Sequence, residues 1–180
     1  MSVADVASAR VELRRLVPAD AALYRAIRLA GLEQEAWAFG STFAAENFRP
    51  LSWFADRLDD ADGSAVFGAF GDGNIVGVAG FYIQQGQKRA HKGMLWGMYV
   101  RPDSRRAGIG RRLVEAVIDH AGGQVEIVQL TVVADNARAR QLYTGLGFIE
   151  YGIEKNALKE DGRYCDEVLM ARPLTTSSDR

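Results

Sequence analysis

The segment 100–113 constrains the fold of this chain more than any other stretch of the sequence. It begins where an apolar run, typical of a buried strand, is ended by Pro102. Two glycines, Gly108 and Gly110, then lead into apolar residues at helical spacing that continue to Ala121. The sequence therefore predicts a buried strand that turns sharply into the N-terminus of a helix.

The start of that predicted helix has the features of a phosphate-binding site. Glycines let a ligand approach the backbone closely, and the N–H groups of a first helical turn have no partner within the helix. These donors lie at the positive end of the helix dipole, which favours an anion. Such a site suits a diphosphate and a 3′-phosphate, although the arginines would also fit a solvated helix face. The segment holds a single acidic residue and five basic ones: Arg101, Arg105, Arg106, Arg111 and Arg112.

A second motif, 136–148, follows roughly 26 residues after Gly110. It reads as a short helix that Asn136 caps, with Tyr143 and Leu146 on its apolar face. The spacing between the two motifs leaves room for one helix and one strand. The sequence thus predicts a strand–helix–strand–helix succession in the second half of the chain.

Together the two motifs resemble the signatures of the GNAT superfamily of N-acetyltransferases. The first matches the coenzyme A signature Arg/Gln-x-x-Gly-x-Gly/Ala at Arg105, Gly108 and Gly110. The second, 136–148, matches the pattern Asn-x-x-Ala-x-x-Leu-Tyr-x-x-x-Gly-Phe. The matched core, 94–153, covers about a third of the chain, and the order of elements extends the likeness to nearly all of it.

The periodicity and the resemblance together imply an α+β fold. We expect a GNAT-like mixed, mostly antiparallel central sheet of about seven strands, flanked by about four helices and splayed between the fourth and fifth main strands. Gly97 is where we expect the bulge that opens the splay. Gly31 is expected to stop the first helix, with a helix that resumes over 32–37 as the alternative. Asp72-Gly73 predicts a hairpin turn. The last two strands are predicted at 148–153 and 165–171.

The resemblance also implies a co-substrate and residue roles. Acetyl-CoA would lay its pantetheine arm as a pseudo-strand along the backbone of Met98 and Val100, and an amide there would polarise the thioester carbonyl. Tyr143 would protonate the departing thiolate as general acid; a core tyrosine is the alternative. Cofactor contacts are implied for Met98, Tyr99, Val100, Arg105, Arg106, Ala107, Gly108, Ile109, Gly110, Arg111, Asn136 and Tyr143.

The sequence departs from the family pattern in ways that leave the general base unassigned. Arg106 and Ala107 stand where many members have a glycine and a polar residue, and the strand 95–101 lacks the carboxylate that some members use as base. We therefore expect no single carboxylate to be indispensable. The proton acceptors that stay open are a chain of waters, Glu33, Glu35, Glu46 and His91, whereas His120 suits a helix C-terminus.

The acceptor also stays open. The resemblance implies a primary amine of a small molecule or a protein that attacks in a ternary complex, and the alternative function is a silent module that binds coenzyme A or a nucleotide. A nicotinamide-binding domain is excluded, because its glycines should follow the first strand. Aromatic residues between 36 and 48 wall an acceptor pocket or simply fill the core: Trp37, Phe39, Phe43 and Phe48.

The composition bounds the remaining possibilities. With 22 basic and 23 acidic side chains, the charge predicts neither nucleic acid nor a membrane as partner. Charges before Leu16 argue against a signal peptide, and the lone Cys165 fits a reducing compartment, so we expect a cytoplasmic protein that binds no metal. We expect a single domain over 1–180 with an ordered core at about 10–174, frayed ends, and a homodimer formed through an exposed sheet edge.

Overall fold

The computed structural model describes residues 11–174, so the terminal segments that the sequence predicts to be frayed lie outside the described residues. Within this range seven strands form one sheet in the order β1-β2-β3-β4-β5-β7-β6. The strands are β1 Glu12–Arg15, β2 Ala65–Gly71, β3 Asn74–Ile83, β4 Lys92–Val100, β5 Ile127–Val133, β6 Ile149–Glu160 and β7 Arg163–Pro173. Neighbouring strands are antiparallel except β4 and β5, which confirms the mixed, mostly antiparallel sheet.

In the described part of the chain five α-helices flank the sheet, one more than the sequence predicted. They are α1 Ala21–Gln34, α2 Phe43–Asn47, α3 Leu51–Asp56, α4 Ile109–Ala121 and α5 Ala137–Thr144. The additional one is α2, a single short turn that Thr42 caps by accepting a hydrogen bond from the backbone N–H of Ala45 at 3.1 Å. No helix within residues 11–174 is both long and apolar enough to cross a membrane.

The two faces of the sheet carry separate apolar cores. Val78, on β3, packs with α1 and α3, whereas its neighbours Ala79 and Phe81 pack with α4 on the opposite face. This division follows from the alternation of side chains along a strand. The sheet is therefore covered on both sides near its centre, where β3 and β4 lie.

The first helix does not stop at Gly31 but continues to Gln34. Gly31 lies inside α1, and a Cβ on it would come within 3.0 Å of the Tyr99 ring. The glycine therefore lets the helix approach β4 closely rather than ending the helix.

The last hairpin is longer than the sequence predicted. β6 and β7 extend to a two-residue turn at Asp161-Gly162, whose φ angles of 46° and 79° are both left-handed. The confirmed turn at Asp72-Gly73 has the same geometry, with φ angles of 49° and 77°. The signal was thus present, but β6 is an exposed edge strand whose polar side chains hide the alternation that marks a half-buried strand.

β4 and β5 separate after only three residue pairs, the last of which is Met94 with Gln129. The bulge expected at Gly97 is confirmed: Gly97 has a φ of 62°, and the register between β3 and β4 shifts between Val78 and Gly80. An extra residue in one strand of a pair bends that strand. The bulge therefore directs the end of β4 away from β5 and leaves 95–100 without a strand neighbour on that side.

Candidate active site

A cavity of about 580 Å³, called here the first cavity, opens where β4 and β5 separate. The end of β4, the start of α4 and one face of α5 form its walls. Of the residues that the sequence assigned to the cofactor, only Ala107, which is exposed, does not line it. Those that do are Met98, Tyr99, Val100, Arg105, Arg106, Gly108, Ile109, Gly110, Arg111, Asn136 and Tyr143.

The turn before α4 contains two left-handed residues. Gly108 caps the helix with a φ of 74°, and no heavy atom would lie within 4 Å of a Cβ built on it. Arg106 has a φ of 69°, a conformation that costs a residue other than glycine roughly 1–2 kcal/mol. The glycine that many relatives carry at this position thus has a conformational reason. Left-handed residues in such a turn help to direct successive N–H groups toward one anion.

The arginines near this turn do not act as one cluster. Arg101 donates to the backbone oxygen of Ile75 and Arg112 to that of Val11, each at 3.0 Å, and neither lines the first cavity. Arg111 lines it and is half exposed. The sequence analysis missed Arg138, an exposed residue in the first turn of α5 that also lines the cavity.

Arg105 lies on the cavity wall but is held by protein groups. Its guanidinium donates to Glu35 Oε1 at 2.5 Å and to the backbone oxygen of Val100 at 2.9 Å. The Val100 oxygen, which the resemblance offered to a pantetheine arm, therefore already has a donor. Tyr99 is likewise engaged, since its hydroxyl donates to Gln34 Oε1 at 2.7 Å.

Tyr143 lies both in the core and on the wall of the first cavity. It is 6% exposed, its ring packs edge-on against Phe148, and its hydroxyl donates to Met98 Sδ at 3.4 Å. Burial raises the pKa of Tyr143 well above its ordinary value, so the phenol stays protonated at physiological pH. Asn136 begins the same helix by accepting from the N–H of Ala139 at 3.1 Å. A protonated hydroxyl thus lies beside the open edge of β4.

A second cavity, of about 450 Å³, meets the first at the bulge in β4. The two share Phe39, Trp96, Gly97 and Thr131 among their lining residues. Of the four aromatic residues considered from the sequence, Trp37 and Phe39 line a cavity, whereas Phe43 and the 88% exposed Phe48 do not. The sequence analysis missed three others in the second cavity: Trp53, Tyr82 and Trp96.

The structure shows which of the possible proton acceptors lie at a cavity and which do not. Glu33 is exposed and lines neither cavity, and Glu35 is paired with Arg105. His91 is also outside both cavities, at the beginning of β4, far along the strand from the bulge. His120 contacts the backbone oxygen of Gly63 at 2.9 Å near the end of α4 and has no place at either cavity.

Glu46 lines the second cavity but is a poor proton acceptor. It is 3% exposed and accepts from Nε and Nη2 of Arg28 at 3.0 and 2.8 Å. Burial alone would raise the pKa of Glu46, but the hydrogen bonds and charge of Arg28 outweigh it and hold the pKa below its ordinary value. Its oxygens are therefore committed to the ion pair.

Glu167, on β7, is the carboxylate of the second cavity that the sequence analysis missed. It accepts a hydrogen bond from Thr131 Oγ1 at 3.2 Å. Burial raises the pKa of Glu167, the charge of Glu154 adds to this, and the Thr131 bond opposes it. The sequence around Glu167 does not indicate a functional role, because only the pairing of β5 with β7 brings this residue to the point where β4 and β5 separate.

The chain is similar to known N-acetyltransferases in sequence. The chain matches the model of the acetyltransferase (GNAT) family over residues 29–148. It is 31% identical over 119 residues to the L-amino acid N-acetyltransferase AaaT of Escherichia coli (strain K12), a match that covers 65% of this chain and 73% of that protein. It is 41% identical over 83 residues to the ribosomal protein bS18-alanine N-acetyltransferase of the same strain. This match covers 45% of this chain and 55% of that protein.

Solved structures show the same fold. The ribosomal-protein-alanine N-acetyltransferase of Brucella melitensis superposes with a TM-score of 0.77 at 26% identity, covering 91% of this chain and 99% of that one. A GNAT-family acetyltransferase of Streptococcus pneumoniae superposes with a TM-score of 0.81 at 24% identity, covering 92% and 100%. The chain therefore belongs to the acetyltransferase (GNAT) family and is an acetyl-CoA-dependent N-acetyltransferase.

Proposed function

We propose that the protein acetylates a primary amine by direct attack in a ternary complex, with acetyl-CoA in the first cavity and the amine in the second. The observation that carries this proposal is that the two cavities meet at Gly97 and Thr131, beside the open edge of β4. A thioester at this junction is within reach of groups in both cavities. Neither substrate then has to leave before the other reacts.

The residues of the first cavity suit the parts of acetyl-CoA. The start of α4 offers free N–H groups to the diphosphate, with Arg111 and Arg138 as nearby cations. The open edge of β4 offers the backbone of Met98 and Val100 to the pantetheine arm, and Arg105 shares the Val100 oxygen, which has two lone pairs.

The chemical step moves two protons. The amine nitrogen forms a bond to the thioester carbon, the C–S bond breaks, and Tyr143 gives its proton to the departing thiolate. The second proton of the attacking nitrogen then leaves and restores the Tyr143 hydroxyl. The ammonium proton must leave before attack. Glu167 lines the second cavity and is the carboxylate that we propose as its acceptor, as an alternative to the expectation that no carboxylate is indispensable.

Replacing Gly108 by valine should weaken acetyl-CoA binding at least about tenfold, because a side chain would occupy the space next to the diphosphate. Titration calorimetry measures this affinity. Gly123→Val is the matched control: Gly123 has a φ of 79°, equally open surroundings, and a place beyond the other end of α4. Equal affinities in the two variants would show that the diphosphate binds elsewhere.

The proposed activity is tested by the release of free thiol from acetyl-CoA in the presence of single amines. The panel should contain amino acids, alkylamines, polyamines, aminoglycosides and an alanyl peptide. We expect at least one class to accelerate thiol release over the rate without amine. A protein that binds acetyl-CoA and releases no thiol with any class would contradict the proposal.

The homodimer expected from the sequence stays a prediction. β6 is one of the two edge strands of the sheet, and Ile149, Tyr151 and Ile153 lie exposed along it at alternate positions. Such an edge offers unpaired backbone groups to a second copy. Sedimentation equilibrium should therefore show a dimer, and replacing Tyr151 by lysine should shift it toward monomer. A monomer at all micromolar concentrations would contradict the prediction.

A further inference from the structure

We propose that the second cavity selects amines that carry a carboxylate beside the amino group, as free α-amino acids do, and that Arg28 and Arg57 bind this carboxylate. The inference rests on the proposed function and names its class of acceptor. Three hydrogen-bond donors support it: the guanidiniums of Arg28 and Arg57, which lie near the Trp96 ring, and the N–H of that ring itself.

The first donor is Nη1 of Arg28. The arginine is 7% exposed, and its Nε and Nη2 donate to Glu46. Nη1 is buried and has no hydrogen-bond partner among the described residues. A Cβ built on Gly97 would lie 3.4 Å from it, so this nitrogen faces the bulge where the two cavities meet. A buried charged donor without an acceptor is costly, and a ligand oxygen would remove that cost.

Arg57 supplies the second group of donors. Its guanidinium carbon lies 3.7 Å from the centroid of the Trp53 ring and 5.5 Å from that of Trp96. No carboxylate of the described residues lies within ion-pair distance of it. A guanidinium stacked on an indole keeps its N–H edge free for a planar anion. The charge of Arg57 is therefore available to a ligand.

Trp96 joins these groups into one site. Its ring centroid is 5.9 Å from the guanidinium carbon of Arg28, and its own Nε1 is buried with no hydrogen-bond partner within residues 11–174. The guanidiniums of Arg28 and Arg57 thus lie beside one indole ring, with Glu46 already paired with Arg28. Arg49 lines the same cavity, so three arginines and two glutamates, Glu46 and Glu167, leave one net positive charge, which suits a ligand carboxylate.

A negatively charged residue that could bind the amino group, Glu167, lies in the same cavity. Glu167 lines it together with Thr131, which also lies at the junction with the first cavity. An amino acid with its carboxylate at Arg28 and Arg57 can therefore present its amino group to Glu167 near the thioester. The α-amine of a protein N-terminus is followed by an uncharged amide and would leave the buried donors of Arg28 and Trp96 without this anion.

The test compares each free L-amino acid with its own primary amide and with an alanyl peptide, measured as kcat/KM for thiol release by the wild-type protein. We expect the best free amino acid to exceed its amide at least about tenfold. If the enzyme did not recognise the carboxylate, the amide would react faster than the free amino acid. An α-amino group beside an amide has a pKa of roughly 7.7–8.0 and a larger neutral fraction at pH 7 than the free amino acid. Amides or peptides that react as well as the free acids would overturn the inference.

Replacing Arg57 tests whether this residue causes the preference for the free amino acid over its amide. In Arg57→Gln the ratio of free acid to amide should fall toward one, while acetyl-CoA affinity stays unchanged and Arg57→Lys recovers part of the preference. The control is Arg25→Gln, which removes an arginine stacked 5.8 Å over Phe54 and outside both cavities. Equal losses for acids and amides in Arg57→Gln would overturn the carboxylate role. Failure of the proposed function itself differs, because no amine of any class would then release thiol.

Discussion

Replacing Tyr143 by phenylalanine is expected to lower kcat by about a hundredfold or more while acetyl-CoA affinity barely changes. The substitution keeps the ring that packs on Phe148 and removes only the hydroxyl beside the open edge of β4. Its buried phenol has a raised pKa and stays protonated, so the wild-type rate should show no loss from tyrosine ionisation up to about pH 10. Steady-state thiol release at saturating substrates measures the first effect, and its pH profile measures the second.

Tyr164→Phe is the control. Tyr164 is an exposed tyrosine of β7 that lines neither cavity, so the loss of its hydroxyl should leave kcat near the wild-type value. A Tyr143→Phe protein that retains most of its turnover would instead show that the thiolate leaves with the help of water or another group. Tyr143 would then be a core residue, the alternative that its apolar helix face suggests.

The second large effect is expected for Glu167→Gln, which should lower kcat/KM for the amine by about a hundredfold or more if this carboxylate takes the ammonium proton. A base acts only when ionised, and burial raises the pKa of Glu167. Activity should therefore be lost as pH falls through a value above the ordinary range of a glutamate. That acidic limb should vanish in the variant. The pH dependence of kcat/KM from pH 4.5 to 10 measures both.

Glu154→Gln is the control, because Glu154 lies opposite Glu167 in the β6–β7 pair and lines neither cavity. Its charge helps to raise the pKa of Glu167, so this variant should stay active and shift the acidic limb to lower pH. If Glu167→Gln keeps substantial activity and the rate follows the pKa of the amine alone, the original expectation holds. The enzyme then selects the neutral amine, and no carboxylate is indispensable.

Much of the first cavity could be predicted because its geometry is encoded locally. Gly108 starts α4 in a left-handed conformation, Asn136 caps α5, and Gly97 forms the bulge, as each residue's own backbone preferences require. Such preferences act within a few residues and can be read along the chain. The left-handed φ of Arg106 was not read from the sequence, because an arginine carries no sign of the strain that its neighbours impose.

The sequence by itself determined the order of elements, the strand-to-helix turn at 100–113 and the presence of Tyr143 beside it. Only the tertiary structure decided which side chains meet across the splay. Arg105 turns to Glu35, and Glu167 reaches Thr131, through contacts between residues that are far apart in the chain. These partners depend on sheet order and helix packing. The charge of a side chain determines which groups it can bind, but the fold determines which of those groups lie within reach. The acceptor cavity is built almost wholly from such contacts, which is why its chemistry emerged only from the fold.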